Sequence, residues 1–190
     1  MRLIVAAIVG GIVMFAWGFV SHMILGVGDN GMKSLSNEDA VIAALKSNIN
    51  EPGIYFVPGM DMSRTPTNEE WDAFSKKAEA GPTAFLVYNP TGETPFSAKQ
   101  LGIEFASNVL GALIVAFILN WTAPSIGKRI IIATLIGLAG WVSIEISYWD
   151  WYRFPGAFVT GELIEQVVGW LLTGAAIALI IKRKVTESLS

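Results

Sequence analysis

The feature of this sequence that most constrains its fold is a set of four long apolar stretches. They cover residues 3–25, 101–121, 130–149 and 161–181. Each holds roughly 20 residues, which at a rise of about 1.5 Å per residue matches a hydrocarbon core of about 30 Å. The sequence therefore predicts four transmembrane helices.

The composition supports a membrane protein and removes several other classes. Of the 190 residues, 53% are hydrophobic and 15% are charged, which is typical of a polytopic membrane protein. The net charge of -3 is spread along the chain, so there is no basic surface for nucleic acid. With no cysteine, disulfides, thiolate catalysis and cysteine-ligated metals are excluded. The expected partners are the lipid bilayer and other membrane proteins, with no nucleic acid.

The basic residues near the ends of the apolar stretches predict the orientation. Arg2, Lys128, Arg129 and the basic run 182–184 all fall on one side of the membrane, which the positive-inside rule makes cytoplasmic. Both termini are then cytoplasmic, and residues 26–100 are periplasmic in a bacterial inner membrane. The first apolar run exceeds the roughly 7–15 residues of a signal-peptide core, so we expect it to be retained as helix 1.

The segment between the first two spans carries its own local signals. Ser36 with Asp39 and Thr67 with Glu70 fit the capping-box pattern and predict helices near 37–48 and 68–80. The segments 53–57 and 83–88 are rich in aromatic and branched residues and predict two paired strands. A further box, Ser97 with Gln100, predicts that the second span starts outside the bilayer, and Pro124 should end it.

These elements predict the fold class and the domains. We expect a membrane all-α fold, a four-transmembrane-helix bundle with a small extracytoplasmic α+β cap between helices 1 and 2. The expected domains are transmembrane helix 1 (1–25), the cap (26–96), transmembrane helices 2 to 4 (97–184) and a cytoplasmic tail (185–190).

Polar residues near one end of each span form the candidate site. An ionisable group in hydrocarbon costs about 2.5–3.5 kcal/mol on insertion scales, so such residues are expected to face inward. Small residues at positions 7, 11 and 18 would let helices approach closely on the same faces. The expected result is a polar cup one helical turn below the periplasmic surface, formed by His22, Glu104, Ser107, Asn108, Glu145, Glu162, Glu165 and Gln166.

Three interpretations of this cup stay open. Its side chains can act as hydrogen-bond partners between helices. Alternatively, His22, Glu104, Glu145 and Glu165 can ligate a divalent metal, zinc, manganese or iron, which accept nitrogen and oxygen ligands. The third interpretation is proton handling between the carboxylates and His22.

The end of the third span concentrates aromatic rings, which is typical of an interfacial belt where headgroups meet hydrocarbon. The belt is expected to consist of Tyr148, Trp149, Trp151, Tyr152 and Phe154.

No catalytic motif accompanies these features, which favours a non-enzymatic structural or accessory subunit of a larger membrane complex. The sequence establishes no cofactor beyond the divalent metal of the second interpretation. The first alternative is a metal-dependent membrane enzyme of the hydrolase type, with its His/Glu site at the periplasmic helix ends. The second alternative is a proton-linked sensor or transport accessory protein.

Overall fold

The structure, a computed structural model, describes residues 1–122 and 125–181. It contains two compact units. The helical unit comprises Met1–Met32 and the chain from Pro95 onward, and the small unit is Lys33–Thr94. The predicted helix end at Pro124, the basic run 182–184 and the tail 185–190 lie outside the described residues.

Six α-helices, one π-helical turn and two strands form the described part of the chain. Four helical segments in it are long and apolar enough to cross a membrane, as the sequence predicts, and this is compatible with a multi-pass membrane protein. In chain order the elements are α1 (Arg2–Phe19), the π-helical turn (Val20–Ile24), α2 (Glu38–Asn48), β1 (Gly53–Val57), α3 (Asn68–Ala80), β2 (Ala84–Tyr88), α4 (Ala98–Thr122), α5 (Ile126–Tyr152) and α6 (Gly156–Ile180).

The small unit contains the two helices and the two strands expected from its local signals. The capping box of α3 is present, because the Thr67 side chain accepts from the Glu70 backbone and the Glu70 side chain accepts from the Thr67 backbone. The start of α2 differs by one residue from the expectation. Its cap is Asn37, whose side chain accepts from the Ala40 backbone amide, rather than Ser36, because an Asn side chain also bonds a backbone N–H at this position.

The two strands pair antiparallel with Gly53 opposite Tyr88 and Val57 opposite Ala84. A two-stranded ribbon is marginal alone and needs a helix against one face. A groove beside α2 is lined by apolar side chains of the helix and of both strands, including Val41, Leu45 and Leu86. No residue of α2 or α3 is fully buried, so this unit has little core of its own.

In the helical unit, α1 packs between α4 and α6, and α5 packs mainly on the far side of α6. The core lies where α1 begins, α4 ends, α5 begins and α6 ends. We call this region the closed end, and the opposite region, which contains His22 and Glu104, the open end. The buried core residues are Ala6, Ala112, Val115, Ala116, Leu119, Ala133, Ile177 and Ile181.

Glycines bring the helices into close contact. A Cβ on Gly11 would lie 2.7 Å from the Cα of Val109, and one on Gly174 would lie 2.5 Å from the Cβ of Ala133. A Cβ on Gly137 would overlap the indole of Trp170. Small residues allow such approaches between membrane helices. The small-residue faces seen in the sequence are therefore used for packing within this chain.

Arg129 is the buried cation of the closed end, with 4% of its surface exposed. Its Nη1 donates to the backbone carbonyl oxygens of Ala178 and Ile181, at the end of α6. The last carbonyls of a helix lack intrahelical partners and carry partial negative charge. Arg129 therefore stabilises the end of α6 against the start of α5.

Candidate functional site

The centre of the open end is His22, which lies in the π-helical turn that ends the first span. Single π-helical turns occur often at functional sites because they redirect a side chain. The ring lies between two carboxylates: Nδ1 is 3.3 Å from Oδ1 of Asp29, and Nε2 is 3.3 Å from Oε2 of Glu165. His22 thus joins the loop that follows helix 1 to the first half of α6.

The loop of residues 26–32 folds back over the helices because glycines permit the contact. A Cβ on Gly28 would overlap the His22 ring, and a Cβ on Gly161 would overlap the carbonyl oxygen of Val27. Gly31 has a φ of +88°, a conformation that glycine adopts without strain. The sequence assigned these residues to the cap, whereas the structure places them with the helical unit.

A group of carboxylates on α5 and α6 lies near His22. The Oε2 atoms of Glu145 and Glu165 are both buried without a well-aligned hydrogen bond among the described residues, although that of Glu165 approaches His22. Glu162 interacts electrostatically with Glu165, Glu145 and His22. The Glu165 backbone carbonyl accepts from Nε1 of Trp17, at 3.1 Å, which holds α6 against α1.

The polar residues of α4 pair within their own helix. Nδ2 of Asn108 donates to Oε1 of Glu104 at 3.2 Å, and the Ser107 hydroxyl donates to the Glu104 backbone carbonyl. The capping box of Ser97 and Gln100 is present, as predicted. It starts α4 ahead of the apolar stretch and so places Glu104 inside the span.

A wedge-shaped pocket opens between helix 1 and α4 at the open end. The helices touch where the rings of Phe15 and Phe105 meet edge to face, 5.7 Å apart. Beyond this contact lies a cavity of about 570 Å³. Its apolar lining residues, which we call its wall, are Phe15, Gly18, Phe19, Met23 and Leu101, and its polar lining residues, which we call its rim, are His22, Asp29, Glu104 and Asn108. We call it the wedge pocket.

Phe96 completes the lining of the wedge pocket. Its φ is +56°, which is a strained conformation for a bulky residue, and 71% of its surface is exposed. Sequence reasoning missed both Phe96 and Asp29, since loop residues follow no helical periodicity. The sequence did carry a signal for the pocket itself. Phe15 and Phe19 are four residues apart, as are Leu101 and Phe105, and this spacing places each pair on one face of its helix.

The structure does not bring the predicted metal ligands together. Among the residues that it describes, no group of three or more His, Asp or Glu side chains could hold a metal ion. His22 meets Glu165, while Glu104 bonds to Asn108 on its own helix. The predicted cup is thus divided into a carboxylate group on α5 and α6 and a polar pair on α4, with His22 between them.

Gln166 and three residues of the aromatic belt contact neighbouring side chains of the protein. Oε1 of Gln166 accepts from Nε1 of Trp170, one turn along α6. Within the belt, the rings of Tyr148 and Phe154 stack at 5.2 Å and Tyr148 lies 5.5 Å from Tyr152. The other two members, Trp149 and Trp151, are exposed.

Like the Trp17 bond to α6, a second indole hydrogen bond between helices was not predicted from the sequence. Nε1 of Trp141 donates to the carbonyl oxygen of Val159 at 2.9 Å, which joins α5 to α6. From sequence alone, a tryptophan in an apolar stretch is interpreted as a lipid-facing or buried side chain, so this hydrogen bond could not be predicted.

Comparison with protein-family models, with curated proteins and with solved structures found no match.

Proposed function

We propose that this chain is a non-enzymatic accessory protein of a bacterial inner membrane, and that its helical unit binds an amphiphilic ligand in the wedge pocket. The observation that carries this proposal is the pocket itself, a cavity of about 570 Å³ with an apolar wall and a polar rim. Small-molecule pockets usually measure about 300–1,000 Å³ and are mainly apolar with a few polar groups.

The position of the pocket supports a ligand that is dissolved in the bilayer. Most of its lining comes from Arg2–Ile24 and Ala98–Trp121, two of the segments that are long enough to cross a membrane. Phe15, Phe19 and Leu101 offer contacts for a hydrocarbon chain, and His22 and Glu104 offer polar atoms in the same lining. A molecule with an apolar tail and a polar head fits this combination.

The chemistry at His22 supports binding over catalysis. A serine nucleophile needs a base within hydrogen-bond reach, but the neighbouring Ser21 hydroxyl is directed to the Gly18 carbonyl at 3.1 Å. The two ring nitrogens of His22 face Asp29 and Glu165. His22 thus acts in positioning the loop and α6.

The basic residues support a periplasmic open end. Arg2 begins α1, and Lys128 and Arg129 lie in the first turn of α5, so all three belong to the closed end. The positive-inside rule assigns that end to the cytoplasm. The wedge pocket would then face the outer leaflet, and the small unit would lie in the periplasm.

An accessory role in a larger complex needs a surface that this chain does not use itself. The small-residue faces are occupied by internal contacts such as Gly11 with Val109. The exposed Trp149 and Trp151 of the aromatic belt are the better surface for a membrane partner, because Trp anchors interfaces efficiently.

Equilibrium binding in nanodiscs tests the proposed function. Labelled dodecanol would be titrated into the wild type, Gly18→Leu and the control Gly140→Leu, with empty nanodiscs subtracting partition into lipid. Gly18 lines the pocket, and a Cβ there would lie 3.9 Å from Oε1 of Glu165, whereas a Cβ on Gly140 meets no atom within 4 Å. We expect saturable binding that weakens at least about tenfold in Gly18→Leu only. If Gly18→Leu does not fold, Leu101→Trp fills the opposite wall. Binding that is absent or unchanged in the filled variant overturns the proposal.

A second candidate function is proton-linked sensing, and the position of His22 between two carboxylates favours it. A doubly protonated ring donates from both nitrogens and a neutral ring from one, so protonation changes how the ring holds Asp29 and Glu165. Glu145 and Glu162 also lie within electrostatic range of this group. The sensor interpretation predicts that amide exchange of residues 26–32 changes with pH in the wild type but not in His22→Gln. An identical pH dependence of exchange in the two proteins contradicts it.

A further inference from the structure

The charges and hydrogen-bonding groups of the rim indicate which polar head group the wedge pocket can bind. We infer that the pocket selects an amphiphile with a single cationic ammonium head and without a phosphate group. This inference rests on the proposed function, because it concerns the ligand of the same pocket.

The donor groups of the rim side chains already contact carboxylates of the protein. Nδ2 of Asn108 donates one hydrogen bond, to Oε1 of Glu104. Both ring nitrogens of His22 face carboxylates, those of Asp29 and Glu165. An anionic head is bound best by charged donors, whereas beyond its bond to Glu104 the Asn108 amide offers one neutral N–H.

Carboxylate oxygens of the rim, with their negative charge, remain available to a ligand. Asp29 and Glu104 both line the pocket, and an ionised carboxylate only accepts hydrogen bonds. Asp29 is 58% exposed, so it retains free lone pairs beside its contact with His22. Oε1 of Glu104 accepts from Asn108, which leaves Oε2 for a donor on the ligand.

Among the residues that the structure describes, the lining contains no Lys or Arg to balance these carboxylates. Lys99 precedes Glu104 on α4 but is not part of the lining, and no ion pair joins Glu104 to a described cation. A carboxylate within a membrane span requires a partner with positive charge or donors. An ammonium group supplies both, since it carries one charge and three donors.

The same charges act against phosphate. A phospholipid with an amine head would bring its phosphate into the region of Asp29 and Glu104, where like charges repel. A ligand with one amine on a single apolar chain avoids this repulsion while its tail lies along Phe15 and Phe19. The pocket therefore fits an alkylamine-type amphiphile better than an aminophospholipid.

The test compares heads on one chain length in phosphatidylcholine nanodiscs at neutral pH. Dodecylamine, dodecanol, dodecanoate and dodecyl phosphate would be titrated against the protein, with empty nanodiscs as the partition reference. Phosphatidylethanolamine would be included as a competitor. We expect dodecylamine to bind at least about tenfold tighter than dodecanol and the two anions to bind more weakly still, because the rim is acidic. Phosphatidylethanolamine should compete poorly.

Two carboxylate variants test whether the charge of Glu104 contributes to binding the head group of the ligand rather than its tail. Glu104→Gln keeps the shape and removes one charge, so it should reduce dodecylamine affinity about tenfold and dodecanol affinity much less. The matched control is Asp150→Asn, an exposed acid near the end of α5 outside the pocket lining, which should change neither. Equal loss of both ligands in Glu104→Gln would contradict a role for the charge.

The outcomes distinguish the two proposals. If dodecanol or an anion binds as tightly as dodecylamine, or phosphatidylethanolamine competes fully, the inference about the head is overturned while the pocket stands. If none of the amphiphiles binds saturably, the proposed function itself is contradicted.

Discussion

Nε2 of His22 lies 3.3 Å from Oε2 of Glu165, so a side-chain contact joins the end of the first span to the first half of the last. The remaining ring nitrogen faces Asp29 in the loop that follows. Helix 1, the loop and α6 therefore meet at one imidazole, and His22 also lines the wedge pocket.

Gly28→Ala tests whether the loop depends on close approach to His22. An added Cβ would overlap the imidazole, so the loop or the ring must move. We expect a loss of about 1–3 kcal/mol, as for overpacked sites, with faster amide exchange in residues 26–32. Thermal unfolding and hydrogen exchange in nanodiscs measure these effects. Gly92→Ala meets no atom within 4 Å and serves as control. Equal stability of the two variants would refute the contact.

Glu145→Gln tests the carboxylate on α5 whose Oε2 atom is buried. Its Oε2 has no hydrogen bond among the described residues, so replacing the acid by a neutral amide of similar shape removes an uncompensated group. We expect the melting temperature in detergent to stay the same or rise, by about 2–4 °C for each kcal/mol gained. A decrease of several degrees would show that the charge has a required partner.

Arg129→Ala tests the anchor of the closed end. The variant leaves the carbonyl oxygens of Ala178 and Ile181 without this donor, and hydrogen bonds from charged groups contribute about 1.5–3 kcal/mol each. We expect a lower melting temperature and faster exchange at the end of α6. Lys128→Ala, at the exposed neighbour, should have little effect. If the two variants melt alike, the anchor is not important for stability.

The small unit should lose stability in acid through Glu70. The Arg64 guanidinium, which bonds its carboxylate, lowers the pKa of Glu70. A group whose pKa is lower in the folded state stabilises the fold above its unfolded pKa, and this contribution is lost as the pH falls through the folded pKa. We therefore expect amide exchange of α3 to accelerate below about pH 4.3, the ordinary glutamate value.

Glu70→Gln should reduce this acid dependence without abolishing it, because the pKa of Asp61 is also lowered, by its hydrogen bonds with Ser63. Glu79→Gln, an exposed acid on the same helix, is the control and should keep the wild-type profile. An unchanged profile in Glu70→Gln would exclude the pair with Arg64 as its source.

Local and additive signals made much of the fold predictable. The four spans follow from apolar length alone, and the α3 capping box follows from Thr67 and Glu70 three residues apart. The strands were found because aromatic and branched residues cluster between turn residues, with β2 starting at Ala84 rather than at residue 83. Each of these features needs only residues close in sequence.

The site was less predictable because it depends on contacts between distant elements. Helical periodicity put Glu104 and Glu165 on inward faces, but it does not say which neighbour each will meet. In the structure Glu104 bonds Asn108, and Glu165 approaches His22. The loop can fold back over the helices because Gly28 and Gly161 have no Cβ. The need for this is visible only in the packed structure.

The most direct test of the central claim, that the wedge pocket holds an amphiphile, is photolabelling in proteoliposomes. A dodecylamine that carries a diazirine on its chain would be irradiated with the protein, and the modified residues would be mapped by mass spectrometry. We expect adducts to concentrate on Phe15, Phe19 and Leu101 and to disappear in Gly18→Leu but not in Gly140→Leu. Adducts spread evenly over the exposed faces of α5 and α6, and unchanged in Gly18→Leu, would contradict a binding pocket between helix 1 and α4.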